Sequence, residues 1–231
     1  IKIKKINDEF WIYGKGINGY KYKNNIVIDA KNSGTLGRLI LGLIINSTKP
    51  IKLIGDQSLS KRDFKRISDP LKKFGASIKL KNGKNLPVII NGSYNLKPIK
   101  YIENRGSAQC KTSVIFAGMR TLGKTTIKAK KSRNHTELLC KYLKLPISIK
   151  NKISYDEITI NKVKSIKNLN YNIPSDISSA AFFVVLTALS EKSRLIIKKV
   201  NINPSRIGVI SILRKMGVKI IFRNIKVYKG E

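Results

Sequence analysis

Several short segments of this 231-residue chain have the residue types and spacing to grip a small anion. Asn32-Ser33-Gly34-Thr35 and Ser107-Ala108-Gln109 each stand just ahead of an apolar run. Small and hydroxylated residues at a helix start leave backbone N–H groups free. Those groups, at the positive end of the helix, suit phosphate or carboxylate. Each segment alone is also an ordinary helix cap. Asp176-Ile177-Ser178-Ser179 opens a third apolar run, but Asp176 repels an anion, so this start reads as a cap or hinge. Lys61-Arg62 and Ser132-Arg133 occupy matching places in the chain. Arginine carries a rigid fork of donors that fits both phosphate and carboxylate, although in so basic a chain a single arginine is commonly a solvated charge.

Other signals carry less. Gly118-Met119-Arg120-Thr121-Leu122-Gly123-Lys124-Thr125 fits the pattern of a nucleotide phosphate loop. That loop needs a strand before it and a helix after it. Here the order is reversed, and a helix C-terminus closed at Gly123 is expected instead. His135 is the only histidine, so no multi-histidine metal site can form, and a structural hydrogen-bonding role is expected. Cys110 and Cys140 lack metal-site or disulfide spacing; both read as packing residues in a reducing, cytoplasmic setting.

The elements that must position these residues repeat. Apolar helices are predicted over Thr35–Ile45, Ser107–Leu122 and Ser178–Leu189, and second, amphipathic helices from near Arg62, Asn134 and Ser205. Each set recurs at intervals of about 71 residues, which signals duplicated architecture. Short strands follow the first helices at Pro50–Ile54, Thr125–Lys130 and Arg194–Val200, and strand pairs such as Ala76–Leu80 with Pro87–Ile90 close each unit. The first helices are apolar almost all round, so they are expected to be buried, with sheets wrapped about them. The polar segment Lys162–Ile173, ending at Pro174, is the expected boundary. It separates residues 1–173, with two full repeats and part of a preceding one, from residues 174–231, the first repeat of a second lobe. The alternating start Ile1-Lys2-Ile3-Lys4-Lys5 reads as a strand, and without an initiator Met the chain is expected to begin inside a longer protein.

Charge leaves one further class open. Forty-seven Lys and Arg against 13 Asp and Glu leave a formal net charge of +34. Nucleic-acid binding would explain it, but the lysines are spread along the whole chain and no basic–aromatic interleaving for base stacking is evident. A genome whose codons favour Lys, Ile and Asn accounts for the same composition. No apolar run approaches the length of a membrane span.

Together the segments resemble the 5-enolpyruvylshikimate-3-phosphate synthases. Asn32-Ser33-Gly34-Thr35 with Arg38, Gly55-Asp56-Gln57-Ser58-Leu59-Ser60-Lys61-Arg62, Ser107-Ala108-Gln109-Cys110-Lys111-Thr112 and Ser132-Arg133-Asn134-His135-Thr136-Glu137 carry the match. Pro174–Phe183, followed by Asn203-Pro204-Ser205-Arg206, resembles the family's hinge and opposite-lobe unit. The resemblance implies a two-lobed enolpyruvyl transferase fold, an inside-out α/β barrel of repeated βαβαββ units, incomplete here. It implies transfer of the enolpyruvyl group from phosphoenolpyruvate to the 5-hydroxyl of shikimate 3-phosphate, with no metal or organic cofactor and a monomeric whole enzyme. It assigns Ser107, Ala108, Gln109, Ser132 and Arg133 to shikimate 3-phosphate. Gly34, Arg62 and Gln109 go to phosphoenolpyruvate, with Asn32, Thr35 and Arg38 in support.

The departures matter as well. The family's early Ser-Lys-Ser segment and the acidic and basic groups of its opposite lobe are not in this chain. The proton-transfer residues are therefore expected outside it, and the chain alone is expected to be inactive. Asp63 stands where the family has Pro, and Glu103-Asn104-Arg105 differs from the usual approach to Ser107. A UDP-N-acetylglucosamine enolpyruvyl transferase of the same fold is the alternative, but neither cysteine lies on the Gly-rich loop that relative would need. Gly34, where glyphosate-excluding members carry Ala, implies sensitivity to that inhibitor.

Overall fold

The computed structural model describes residues 1–230. In chain order the elements are β1 (Lys2–Ile6), β2 (Glu9–Tyr13), β3 (Ile26–Asp29), α1 (Gly34–Leu43), β4 (Ile51–Ile54), α2 (Gln57–Ser60), α3 (Lys65–Lys73), β5 (Ser77–Lys81) and β6 (Asn85–Asn91). There follow β7 (Lys100–Glu103), α4 (Ala108–Gly118), β8 (Thr125–Lys130), α5 (His135–Tyr142), β9 (Ile147–Asn151), β10 (Tyr155–Ile160), α6 (Ile177–Leu189) and α7 (Gly208–Lys215). They form two compact units. One comprises residues 1–131 and 143–167; the other comprises 132–142 and the chain from 168 onward.

The first unit shows the duplication directly. One four-stranded sheet runs β3-β4-β6-β5 and the other β7-β8-β10-β9. In each, the first pair is parallel and the other two pairs are antiparallel. Side chains alternate by the two-residue period of a strand: Ile51 and Leu53 face inward while Lys52 faces out, and Ile127 and Ala129 face inward while Lys128 faces out. Between parallel strands the chain crosses through α1 or α4, as a parallel connection requires. α3 is amphipathic as expected: Phe64, Ile67, Leu71 and Phe74 are fully buried, and Lys65, Lys72 and Lys73 are exposed.

α1 and α4 touch backbone to backbone. A Cβ on Gly42 would stand 2.1 Å from the Ser113 carbonyl oxygen, so only glycine permits this crossing. The Ser113 hydroxyl donates to the Arg38 carbonyl at 3.0 Å in the same interface.

Four expectations need correction. The second apolar helix ends at Gly118, not Leu122. Arg120 N–H and Thr121 N–H close tight turns on Ala117 and Gly118, and Gly123 (φ +92°) lies in the turn before β8. The predicted strand Arg194–Val200 is a single bridge, Ser175 to Val200, because two strand segments with no further neighbour gain little from pairing. α6 is not buried: Phe182, Phe183 and Leu189 are 80%, 62% and 79% exposed. An all-apolar composition records what a helix can bury, not whether another element covers it. The amphipathic helices α3, α5 and α7 also begin one to three residues later than predicted, which leaves Arg62 on the link between α2 and α3.

Candidate active site

The site in the first unit grows from two loops tied together by one carboxylate. Asp56 caps α2 by accepting from Leu59 N–H at 2.7 Å, and its other oxygen accepts from Asn32 Nδ2 at 2.6 Å. The Asp56 N–H also donates to the Lys31 carbonyl at 2.9 Å. The backbone bond from Leu59, joined by Asn32, holds the Asp56 carboxyl below its ordinary range. The Asn32 carbonyl in turn faces Arg62 Nη2 at 3.4 Å, a long contact for so exposed a guanidinium.

Arg62 is held by its backbone. Asn85 Nδ2 donates to the Lys61 and Arg62 carbonyls at 3.1 and 3.3 Å. Asp63, at the position where the related motif has Pro, accepts from Lys65 N–H at 2.7 Å and starts α3. An Asx turn thus launches the helix in place of a fixed proline φ.

Ser33 caps α1 through Leu36 N–H at 3.1 Å, and Ser107 caps α4 through Cys110 N–H at 3.3 Å. Gln109 joins the two helix starts. Its Nε2 donates to Thr35 Oγ1 at 2.9 Å, and its Oε1 accepts from Arg38 Nη1 at 2.6 Å. Arg38 is only 7% exposed and lies over the Phe64 ring at 5.6 Å. Burial, then the Arg66 and Arg62 charges, lower its pKa, so it sits in a field already positive. A Cβ built on Gly34 would meet Arg62 Nη1 at 3.0 Å and Arg38 Nη1 at 3.1 Å, which shows two guanidinium ends converging on the α1 start. Glu103, buried at the end of β7, accepts from Arg105 N–H at 3.2 Å and Ser107 N–H at 2.9 Å. The departure at Glu103-Asn104-Arg105 therefore shapes the loop ahead of Ser107 and leaves the strand intact.

Asn32, Gly34, Thr35, Arg38, Arg62 and Gln109 are thus gathered, and Ser107 and Ala108 lie on the same α4 start as Gln109. Ser132 and Arg133 belong to the second unit, on the link between β8 and α5. The Ser132 hydroxyl is buried with no hydrogen-bond partner among the described residues. Asn134 beside them accepts from Asn203 Nδ2 at 2.9 Å. In the same unit Asp176 caps α6 through Ser178 and Ser179 N–H and pairs with Arg206 at 2.5 Å. With His135 and Tyr171 these two line a cavity of about 330 Å³. No site role for Asp56, Glu103 or Phe64 was legible in the sequence. Asp56 and Glu103 lie inside or beside quoted motifs, but their partners are not local signals.

A family profile described as EPSP synthase (3-phosphoshikimate 1-carboxyvinyltransferase) matches residues 1–229. A 3-phosphoshikimate 1-carboxyvinyltransferase of Caldicellulosiruptor saccharolyticus is 41% identical over 89% of this chain and 48% of its own length. That of Ruthia magnifica subsp. Calyptogena magnifica is 42% identical over 100% of this chain and 52% of its own. A solved EPSP synthase from Acinetobacter baumannii superposes with a TM-score of 0.84 at 34% identity, covering 99% of this chain and 51% of that one. The chain spans about half the length of the curated relatives it matches. With mixed α/β repeats, a polar floor built on two helix starts and this level of identity, the chain belongs to the EPSP synthase family.

Proposed function

We propose that the whole protein transfers the enolpyruvyl group of phosphoenolpyruvate to the 5-hydroxyl of shikimate 3-phosphate. The hydroxyl oxygen adds to C2 as C3 gains a proton; phosphate then leaves as C3 gives a proton back. The observation that carries this reading is the Gln109 bridge from Thr35 to Arg38, beside the open guanidinium of Arg62. It supplies neutral donors and two cations at paired helix starts, a setting suited to a phosphate and a carboxylate side by side.

In this reading residues 1–173 are the shikimate-phosphate lobe, and 174–231 open the second lobe. Ser107, Ala108, Gln109, Ser132 and Arg133 hold shikimate 3-phosphate, and Gly34, Arg62 and Gln109 hold phosphoenolpyruvate. Asn32, Thr35 and Arg38 keep them in place. None of these groups is a base matched to the proton at C3, so this chain alone binds without turning over. The whole enzyme acts as a cytoplasmic monomer. Among the described residues, no helix is long and apolar enough to cross a membrane.

Steady-state phosphate release by Arg62→Met in the whole protein tests the assignment. Loss of the guanidinium should raise KM for phosphoenolpyruvate at least tenfold, matching the ~1.5–3 kcal/mol of a charge-assisted hydrogen bond. An unchanged KM would remove Arg62 from the site.

A further inference from the structure

Asn203-Pro204-Ser205-Arg206 folds as a turn that uses its side chains in two directions. The Asn203 carbonyl oxygen Oδ1 accepts from Ser205 N–H at 2.9 Å and Ser205 Oγ at 2.7 Å, and the Arg206 N–H donates to the Asn203 main-chain carbonyl at 2.8 Å. The turn is therefore rigid on its own account. In one direction, Asn203 Nδ2 donates to Asn134 Oδ1 at 2.9 Å, and the Ser205 hydroxyl, its one hydrogen turned to Asn203, stands 3.4 Å from the same oxygen. In the other, Arg206 pairs with Asp176 at 2.5 Å and reaches Ser178 Oγ at the start of α6.

Asn134 directly follows Ser132 and Arg133. Its side chain accepts from Asn203, 69 positions away, while Leu138 N–H bonds its main-chain carbonyl at 3.0 Å as α5 begins. The link carrying Ser132 and Arg133 is thus fixed at its end, by the side chain and by the main chain of one residue. This position requires an acceptor facing the Asn203 amide, which Asn or Asp provides and an apolar residue does not.

We propose that Asn203 is a positioning residue for substrate binding: through Asn134 it holds the Ser132–Arg133 link in its binding geometry and ties that link to the start of α6. The inference rests on the assignment of Ser132 and Arg133 to shikimate 3-phosphate. Asn203 touches no substrate; it acts on the group that does.

The test uses the whole protein. Asn203→Ala should raise KM for shikimate 3-phosphate about tenfold, the equivalent of 1.4 kcal/mol, and leave kcat and KM for phosphoenolpyruvate within about twofold. Asn134→Leu should reproduce that pattern. Asn134→Asp, which keeps both acceptor lone pairs, should retain the parent KM. Amide hydrogen exchange at residues 132–134 should quicken in Asn203→Ala and in Asn134→Leu only. A purely structural role would lower kcat and raise both KM values together, or lower Tm without the split, and would overturn the proposal. So would unchanged exchange and unchanged KM in Asn203→Ala. If Asn203→Ala does not fold, Ser205→Ala removes the hydroxyl contacts to Asn203 and Asn134 but keeps the Asn203–Asn134 bond, and should show the same split at smaller size; no split there refutes the inference. Absence of shikimate-3-phosphate turnover in the unsubstituted protein would count against the functional assignment only, since the exchange measurement decides the brace by itself.

Discussion

Gly34 has two guanidinium ends for neighbours, and that makes it a sensitive position. A methyl group there would sit 3.0 Å from Arg62 and 3.1 Å from Arg38. Arg62 is exposed and can shift by a few tenths of an ångström, whereas Arg38 is held by Gln109 and Phe64. Gly34→Ala should therefore fold normally, raise KM for phosphoenolpyruvate several-fold and weaken glyphosate inhibition more than it weakens substrate; inhibition curves on the whole protein measure both. Undiminished activity of the Gly34 enzyme at inhibitor levels that stop a Gly-bearing relative would contradict the assignment. Gln109→Ala should do more damage. It strips the nearly buried Arg38 of its acceptor and Thr35 of its donor, at a cost of about 2 kcal/mol in stability, read by chemical denaturation. That Asn32, Thr35 and Gln109 stand at helix starts was legible because caps are local patterns, and Arg62 stood out by its repeat-equivalent place; Arg38 entered only with the motif resemblance. The Asp56–Asn32 bond spans 24 residues and the Gln109–Thr35 bond 74, and no local signal encodes who meets whom across such gaps.

At the scale of elements, the crossing of α1 and α4 sets where the two helix starts lie. In an isolated helix, Gly42→Ala would stabilise by about 1 kcal/mol. Here the new methyl would strike the Ser113 carbonyl, so the helices must separate, and we expect a net loss of about 3 kcal/mol with a raised KM for both substrates. A gain in Tm would show that the helices do not touch as described. The caps add a pH dependence. Hydrogen bonds from Leu59 N–H and Asn32 lower the Asp56 pKa. For Asp176 partial burial pushes up, but the Ser178 and Ser179 bonds and Arg206 outweigh it. Both carboxyls thus bind protons more weakly folded than unfolded. Their stabilisation is complete above the unfolded carboxylate range near pH 4 and is lost as pH falls through the lower folded values. Thermal unfolding followed from pH 6 downward should show a Tm decline that is shallower in Asp56→Asn than in the parent. The repeat, the sheets and the amphipathic α3 were readable from periodicity. The exposure of α6 was not, because the residues of Ile177–Leu189 do not record what lies against them.

For the whole molecule, the net charge of +34 has a consequence for any anionic substrate. A positive field concentrates anions and is screened by salt, so KM for both substrates should rise with ionic strength while kcat changes little. Equal salt sensitivity of kcat would place the effect on chemistry instead of capture. This chain holds paired helix starts, Gln109 and Arg62; under the proposed function the proton transfers at C3 fall to residues elsewhere in the enzyme. The most direct test is inorganic phosphate release from shikimate 3-phosphate plus phosphoenolpyruvate, measured for the whole protein and for this 231-residue chain under identical conditions. We predict turnover by the whole protein that needs both substrates, and none by this chain. Phosphate release by the chain alone, or a whole protein that ignores shikimate 3-phosphate and accepts UDP-N-acetylglucosamine, would contradict it.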